Sequence, residues 1–296
     1  MNTAFSQCHP LVNLLYFLLV LGFAMVLMHP VCLAISLVCA LIYARHLKGG
    51  EAFRLSLRLL LPLLLLTAAL SPLFNHEGAT ILGYWLSGNP VTLESIVYGA
   101  AAATMLAAVI SWFSCYIEVM TADKFIYLFG RVIPALSLTL SMALRMVPRL
   151  KEQLKEISDA QICLNGDLSG AGTYAKIRRG AMVFSILVTW TLENGVETAN
   201  SMVCRGYGLP GRTAFFPYRL RTRDKKLLLF LAVTGMYLFV GGIGGSLSWR
   251  YFPTLGGNPW NVLLASRFFV YGVLCLMPYF LDRREERLWA ASQSKI

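Results

Sequence analysis

Six long apolar runs limit what this chain can fold into more than any other feature of its sequence. A helix needs about 20 apolar residues to cross the hydrocarbon core of a bilayer, and backbone polar groups in lipid must be satisfied within the segment. Only 14% of the residues are charged, against about 25% in soluble domains. The sequence therefore predicts an all-α, polytopic helical membrane protein. The predicted spans are residues 11–28, 31–44, 59–74, 95–117, 227–247 and 261–281.

Lysine and arginine are distributed unevenly between the segments that connect these spans. Segments 45–58 and 282–296 carry four each and segment 118–226 carries sixteen, whereas segment 75–94 carries none and segment 248–260 carries one. Because basic loops stay in the cytoplasm, we predict a cell-membrane protein with both termini cytoplasmic. The tryptophans that fall near the predicted outer ends, where interfacial aromatic residues are expected, are Trp85, Trp249 and Trp260.

The seven cysteines are scattered and lie mostly inside apolar runs. No CxxC pair and no Cys/His metal spacing occurs, so we predict reduced cysteines that act as small apolar residues, with no metal and no cofactor. The sequence also lacks the GxxxxGKS or GxxxxGKT loop that binds nucleotide phosphates. We therefore expect a non-enzymatic chain without a nucleic-acid partner, and any ATP hydrolysis would take place on another subunit.

The basic segment 118–226 predicts two long helices. The first follows Pro148 and should end at Asn165–Gly166, because asparagine and glycine suit the left-handed cap of a helix. The Gly-rich residues 167–173 predict a turn after it. The helix is amphipathic, and the residues that fall on one stripe at helical spacing are Leu150, Leu154, Ile157 and Gln161.

The second helix is predicted from residue 174 to residue 204, with Glu193 and Glu197 on a polar face. It should stop at Arg205, because glycines and then a proline follow. A helix end that presents arginine suits an acidic groove on another protein, since the guanidinium group makes bidentate bonds to carboxylates. The apolar stripe beside it, which could add helix-in-groove contacts, consists of Leu192, Val196, Ala199 and Val203.

The end of this second helix carries a motif similar to one in a known family. Residues 201–208 read Ser-Met-Val-Cys-Arg-Gly-Tyr-Gly, and basic residues 219–226 and an apolar run follow. This sequence resembles the Ala-Met-x-Ala-Arg-Gly-Tyr/Phe-Gly run of the transmembrane T components of energy-coupling factor (ECF) transporters, the CbiQ/EcfT-like family. Residues 143–148 and 152–161 resemble the helix that leads to the family's first Ala-Arg-Gly motif. The sequence departs from that first motif, because residues 162–166 contain no arginine, and from the second, because Cys204 replaces alanine.

The resemblance implies a coupling scaffold of an ABC importer. Its helices would occupy grooves of two ABC-type ATPase subunits and transmit ATP-driven motion to a substrate-binding membrane S subunit, for uptake of a vitamin, a cofactor precursor or a metal ion. We divide the chain into four N-terminal spans (1–117), the coupling helices (118–226), and two C-terminal spans with a cytoplasmic tail (227–296). The implied ATPase-docking residues are Cys204, Arg205, Gly206, Tyr207, Gly208, Ala160, Gln161, Asn165 and Gly166.

Two other functions remain open from the sequence. A stand-alone channel or secondary transporter would need polar groups in several spans, and these spans are nearly uncharged. An intramembrane enzyme could use the paired carboxylates of Glu193 and Glu197. Arg267 is charged and lies inside the sixth run, near its outer end, where it is expected to reach the interface. The glycines of residues 241–245 include a GxxxG spacing, which predicts close helix packing.

Overall fold

The computed structural model of this protein describes residues 3–74, 78–84, 90–130, 133–165, 172–210, 218–257, 259 and 261–293. Within these ranges the chain is predominantly helical, which confirms the predicted fold class. The helices are α1 (Pro10–Val26), α2 (Pro30–Phe74), α3 (Leu93–Val119), α4 (Ala122–Gly130), α5 (Pro134–Asn165), α6 (Thr173–Cys204), α7 (Thr222–Ile243) and α8 (Val262–Gln293). The strands are β1 (Ile81–Tyr84), β2 (Pro90–Thr92), β3 (Trp249–Arg250) and β4 (Gly256–Gly257), and they pair as two antiparallel hairpins, β1–β2 and β3–β4.

Four helical segments of the described chain are long and apolar enough to cross a bilayer. They are the first part of α2 (Pro30–Gly50) and the helices α3, α7 and α8. The first predicted span corresponds to α1, an apolar helix of only 17 residues, and the third lies in the second part of α2. The chain is therefore a membrane protein, while the six-span count and the orientation of the termini stay predictions.

Helix α2 differs from the sequence prediction because it continues through the basic segment 45–58, where we expected a loop. Lysine and arginine favour helices nearly as well as alanine does, so basic residues do not end a helix. The backbone of α2 is helical on both sides of a single break. That break is at Gly49, whose backbone angles (φ 76°, ψ −177°) are not helical. This region of backbone space is essentially restricted to glycine, so the sequence turns the helix at the residue that permits it.

The described chain divides into two compact units. The first, which we call the membrane unit, comprises Met1–Lys124 and Tyr218–Ile296. Its core is aromatic: the rings of Tyr16 and Trp112 lie edge to face with centroids 6.1 Å apart, and Trp112 donates to Ser36 Oγ at 3.1 Å. The second unit, Phe125–Pro217, contains α5 and α6. Our three-part division of the chain stays a prediction.

The two segments predicted to be outer loops contact each other in the membrane unit. The backbone N–H of Ala79, which precedes β1, donates to Pro253 O at 3.1 Å. The ring of Tyr98 lies 5.5 Å from that of Tyr251, and the Tyr251 hydroxyl donates to Met28 O at 2.6 Å. Of the tryptophans expected at this end, Trp85 and Trp260 lie outside the described residues, whereas Trp249 is half-buried against the His29 ring.

The N-terminal segment before α1 is held by two buried charged side chains that the sequence analysis did not single out. Asp282 of α8 accepts a hydrogen bond from the Phe5 backbone N–H at 2.8 Å. Lys124 Nζ donates to Ser6 O at 2.6 Å and to Val119 O at 2.7 Å. Burial lowers the pKa of Lys124, and these carbonyl oxygens partly replace the water that its ammonium group has lost.

The Arg267 side chain of α8 packs against α7. Its Nε and Nη1 atoms are buried and make no hydrogen bond with any described residue, while the reach of the side chain to the interface stays a prediction. The guanidinium carbon lies 5.9 Å from the centre of the Tyr237 ring. An added Cβ at Gly241 of α7 would lie 2.8 Å from Arg267 Nε. Gly241 thus permits close packing of α7 on α8, as the glycine run predicted.

Candidate docking site

Helices α5 and α6 pack against each other in the second unit. Ile157 of α5 and Val183 of α6 are buried, and the Arg149 guanidinium lies over the Trp190 ring, 5.2 Å from its centre. Of the predicted α5 stripe, Leu150, Ile157 and Gln161 are half-buried or buried, but Leu154 is 43% exposed. Gln153 is half-buried instead, because residues spaced three and four apart share one face of a helix.

The two helices must run antiparallel, which places their C-terminal ends far apart. From the Arg149–Trp190 contact, the end of α5 and the start of α6 are each about 25 Å away at 1.5 Å per residue. The connection from Asn165 to Thr173 spans at most about 28 Å when fully extended. It can therefore join the two helices only if they turn back on each other. The C-terminal ends then lie about 30 Å or more apart.

The end of α6 closes with a complete glycine cap. The N–H of Gly206 donates to Val203 O at 2.9 Å, and the N–H of Tyr207 donates to Met202 O at 3.0 Å. These two bonds, with Gly206 at φ 82°, form a Schellman motif, which satisfies the last carbonyl groups of a helix. Gly208 also has a left-handed backbone, at φ 96°. The predicted end of the helix at Arg205 is confirmed.

This cap presents one cation and several apolar side chains to the outside. Arg205 is exposed, and its guanidinium makes no hydrogen bond or ion pair with any described residue. Cys204 and Gly208 are exposed as well, and Tyr207 is 50% exposed. Leu209 is 68% exposed and lies against Gly206, where an added Cβ would meet its Cδ1 at 3.1 Å. The sequence analysis named the cation but missed this leucine.

An uncovered apolar stripe leads to the cap along α6. All four residues of the predicted stripe are exposed in the second unit: Leu192, Val196, Ala199 and Val203. Leu192, Val196 and Val203 have more than half of their surface exposed. A helix of a stable unit normally turns such a stripe inward, so exposed large apolar residues in a row indicate a binding surface.

The end of α5 differs from the end of α6 in its chemistry. Ala160 is exposed and Gln161 is half-buried, and Leu164 is 77% exposed. Asn165 is the last described residue of the helix, so the predicted end at Asn165–Gly166 lies at the limit of the described residues and stays a prediction. The described part of this end carries no arginine, so the two ends present unlike surfaces.

Comparison with known proteins decides the family. The family model described as "Cobalt transport protein", CbiQ, matches residues 2–215 of the 296-residue chain. The chain belongs to the CbiQ family. The resemblance to ECF transporter T components is thereby confirmed.

Three relatives of this CbiQ-family chain carry the name "Energy-coupling factor transporter transmembrane protein EcfT". The protein of Exiguobacterium sibiricum is 32% identical over 104 residues, which cover 35% of this chain and 40% of the relative. That of Lactobacillus helveticus is 26% identical over 182 residues, covering 58% of this chain and 65% of the relative. That of Bacillus selenitireducens is 30% identical over 112 residues, covering 36% of this chain and 42% of the relative. The matches thus span between 40% and 65% of the relatives' length.

The carboxylates of the enzyme alternative lie on an open surface in this family member. Glu193 and Glu197 of α6 are both exposed. Among the described residues, no group of three or more His, Cys, Asp or Glu side chains is placed to hold a metal ion. All seven cysteines are free, and only Cys163 and Cys204 are exposed. Those two thiols lie near the C-terminal ends of α5 and α6.

Proposed function

We propose that this chain is the transmembrane coupling scaffold of an ECF-type importer. Two ABC-type ATPase subunits bind and hydrolyse ATP, and the chain transmits their motion to a substrate-binding membrane S subunit. The observation that carries the proposal is the exposed Arg205 on the glycine-capped end of α6, in a member of the CbiQ family. The names of the three EcfT relatives support it.

The separation of the two helix ends supports a complex with two ATPases. Ends that lie about 30 Å or more apart engage two separate grooves more readily than one. Each groove would receive one helix end, and a movement of the ATPases would reach the paired helices from both sides. In the same proposal α5, α6 and both termini lie in the cytoplasm, where ATP is available.

Arg205 supplies the specific contact at the end of α6. The unpaired guanidinium group extends from a helix end whose carbonyl groups are already satisfied by the cap. It is therefore free to make paired hydrogen bonds with a carboxylate in the ATPase groove. Gly206 and Gly208 let the chain turn away directly after the helix, so that no backbone blocks the approach.

The end of α5 would bind its ATPase in a different way. It offers exposed Leu164 and Ala160 with half-buried Gln161, so its contact is apolar with one amide. We infer that the two ATPase grooves differ correspondingly, one acidic and one apolar. The transported solute is a vitamin, a cofactor precursor or a metal ion, and the description of the family model favours the metal ion.

The docking role is tested by charge reversal at Arg205. We expect Arg205→Glu to lower the amount of ATPase that co-purifies with the tagged full chain in mild detergent by about tenfold or more, since a charge-assisted hydrogen bond contributes about 1.5–3 kcal/mol. ATPases are quantified by mass spectrometry, and membrane insertion is checked by membrane fractionation.

Arg145→Glu is the matched control. Arg145 is also exposed, lies on α5 of the same unit and has no described partner, but it is far from both helix ends. It should retain most of the ATPase. Unchanged association in Arg205→Glu, or a larger loss in Arg145→Glu, would rule out docking through Arg205.

A further inference from the structure

A groove between α7 and α8 of the membrane unit is not used by the proposed coupling function. Its volume is about 680 Å³, within the range of about 300–1,000 Å³ typical of ligand sites. One wall consists of Leu227 and Phe230 of α7, and Leu281 of α8 lies on the other. The first turn of α7 and the cytoplasmic part of α8 form the polar rim.

The rim carries more positive than negative charge. Arg223, Lys226 and Arg284 line it, against one carboxylate, Glu285. Glu285 Oε2 lies 3.5 Å from Arg223 Nη1, so these two charges compensate each other. Lys226 and Arg284 are exposed and have no hydrogen bond or ion pair with any described residue. Two cations on one rim are thus left without a counter-charge.

An uncharged thiol lines the floor of the groove. Cys8 lies there, with its Sγ 3.4 Å from Arg223 Nη2. Burial raises the pKa of the Cys8 thiol to about 11, so the sulfur is protonated at neutral pH. The buried carboxylates of Asp224 and Asp282 also raise this pKa, but neither forms an ion pair with Lys226 or Arg284, so these two cations stay available to an occupant.

The basic residues of the rim and the apolar residues of the wall follow each other along α7 and α8 in the order of a phospholipid's headgroup and acyl chain. Lys226 lies directly before the predicted fifth span, and Arg284 lies three residues after the predicted sixth. The basic groups therefore lie at the level of lipid headgroups and the apolar wall lies at the level of acyl chains. Basic pockets between membrane helices on the cytoplasmic side bind anionic lipid headgroups.

We propose that this groove binds one anionic phospholipid, whose phosphate lies between Lys226 and Arg284 and whose acyl chain packs along Leu227, Phe230 and Leu281. The lipid would join the first turn of α7 to the tail of α8 at the cytoplasmic surface. The proposal concerns the membrane unit alone and does not depend on ATPase docking.

Native mass spectrometry of the full chain in detergent, titrated with phosphatidylglycerol, tests this proposal. A basic side chain near an anionic lipid surface contributes about fivefold in affinity. We therefore expect Lys226→Ala/Arg284→Ala to weaken phosphatidylglycerol binding by about 25-fold. Phosphatidylcholine should bind the wild-type chain far more weakly than phosphatidylglycerol does.

Arg283→Ala is the matched control, because Arg283 is the neighbouring exposed cation but does not line the groove. It should leave phosphatidylglycerol binding within about twofold of the wild type. Equal binding of the two lipids, or an equal loss in Arg283→Ala, would overturn the proposal. Displacement of the lipid by excess glycerol 3-phosphate would also overturn it, because the site would then be one for soluble anions.

Discussion

Gly241 of α7 lies directly against the Arg267 side chain of α8, which would have to shift to admit a larger residue. We expect Gly241→Ala to destabilise the chain by about 1–3 kcal/mol, the usual cost of overpacking a closely packed site. The new methyl group would lie 2.8 Å from Arg267 Nε and 2.9 Å from its Cδ. Thermal unfolding of the purified chain in detergent measures the effect.

Gly242→Ala provides the control one residue along the same helix. An added Cβ there meets only Leu27 Cδ2, at 3.9 Å, which is an ordinary contact. This variant should be neutral or slightly stabilising, because alanine is favoured over glycine in a helix by about 1 kcal/mol. In an Arg267→Ala background, Gly241→Ala should lose its cost. If the two glycine variants unfold alike in the wild-type background, Gly241 is not a packing site.

Individual residues differ in how far sequence reasoning could reach them. Arg205 was predictable because its signal is local: an apolar stripe, then arginine, glycine and proline. Asp282 and Lys124 were not, because each binds a residue far away in the chain, 277 and 118 positions apart. Asp282 accepts a hydrogen bond from a backbone N–H of the N-terminal segment, and Lys124 donates one to a backbone carbonyl there. Every residue has these backbone groups, so such a partner leaves no pattern in the sequence.

Among the helices and strands, the bounds were predicted best where residues such as glycine and proline mark the end of the element. α6 was expected over residues 174–204 and is found at Thr173–Cys204. α2 was divided into two spans and a loop, because alternating apolar and basic segments were assigned to lipid and water. Helical hydrogen bonds continue across that boundary in either solvent, so hydropathy does not mark the end of a helix. The hairpins have strands of two to four residues, too short for a periodic pattern.

The antiparallel arrangement of α5 and α6 predicts a long distance between two native thiols. Cys163 and Cys204 are exposed and the other five cysteines are buried, so spin labels should attach at these two sites without engineering. From the Arg149–Trp190 contact each lies about 21 Å along its helix, in nearly opposite directions. Double electron–electron resonance should give a distance of about 30 Å or more.

A second pair checks the contact from which this distance is derived. Arg149→Cys and Trp190→Cys, in a chain with both exposed cysteines replaced by serine, should broaden the continuous-wave spectrum because the two side chains touch. A main distance below about 20 Å between Cys163 and Cys204 would mean that the two helix ends lie side by side. The two ends could then not serve two separate ATPase grooves in the way proposed.

At the scale of the whole molecule, the distribution of charge carries more information than any single span. Hydropathy alone does not give the number of spans, because α1 has only 17 residues and α2 contains two predicted runs on either side of its break at Gly49. The alternation of basic and non-basic connecting segments, by contrast, reports which segments lie on the same side of the membrane. It does not depend on where each span begins or ends. The contact between Ala79 and Pro253 joins the two non-basic segments, as expected if both lie on the outer side.

That alternation gives a topology that labelling in whole cells can test. Because sixteen lysine and arginine residues lie in segment 118–226, Cys163 and Cys204 should be cytoplasmic. A membrane-impermeant maleimide should leave them unlabelled in intact cells and label both after permeabilisation. Thr254→Cys, at an exposed position two residues before β4, should be labelled in intact cells when Cys163 and Cys204 are replaced by serine. Labelling of Cys163 or Cys204 from outside would place α5 and α6 away from ATP, and the coupling role would have to be abandoned.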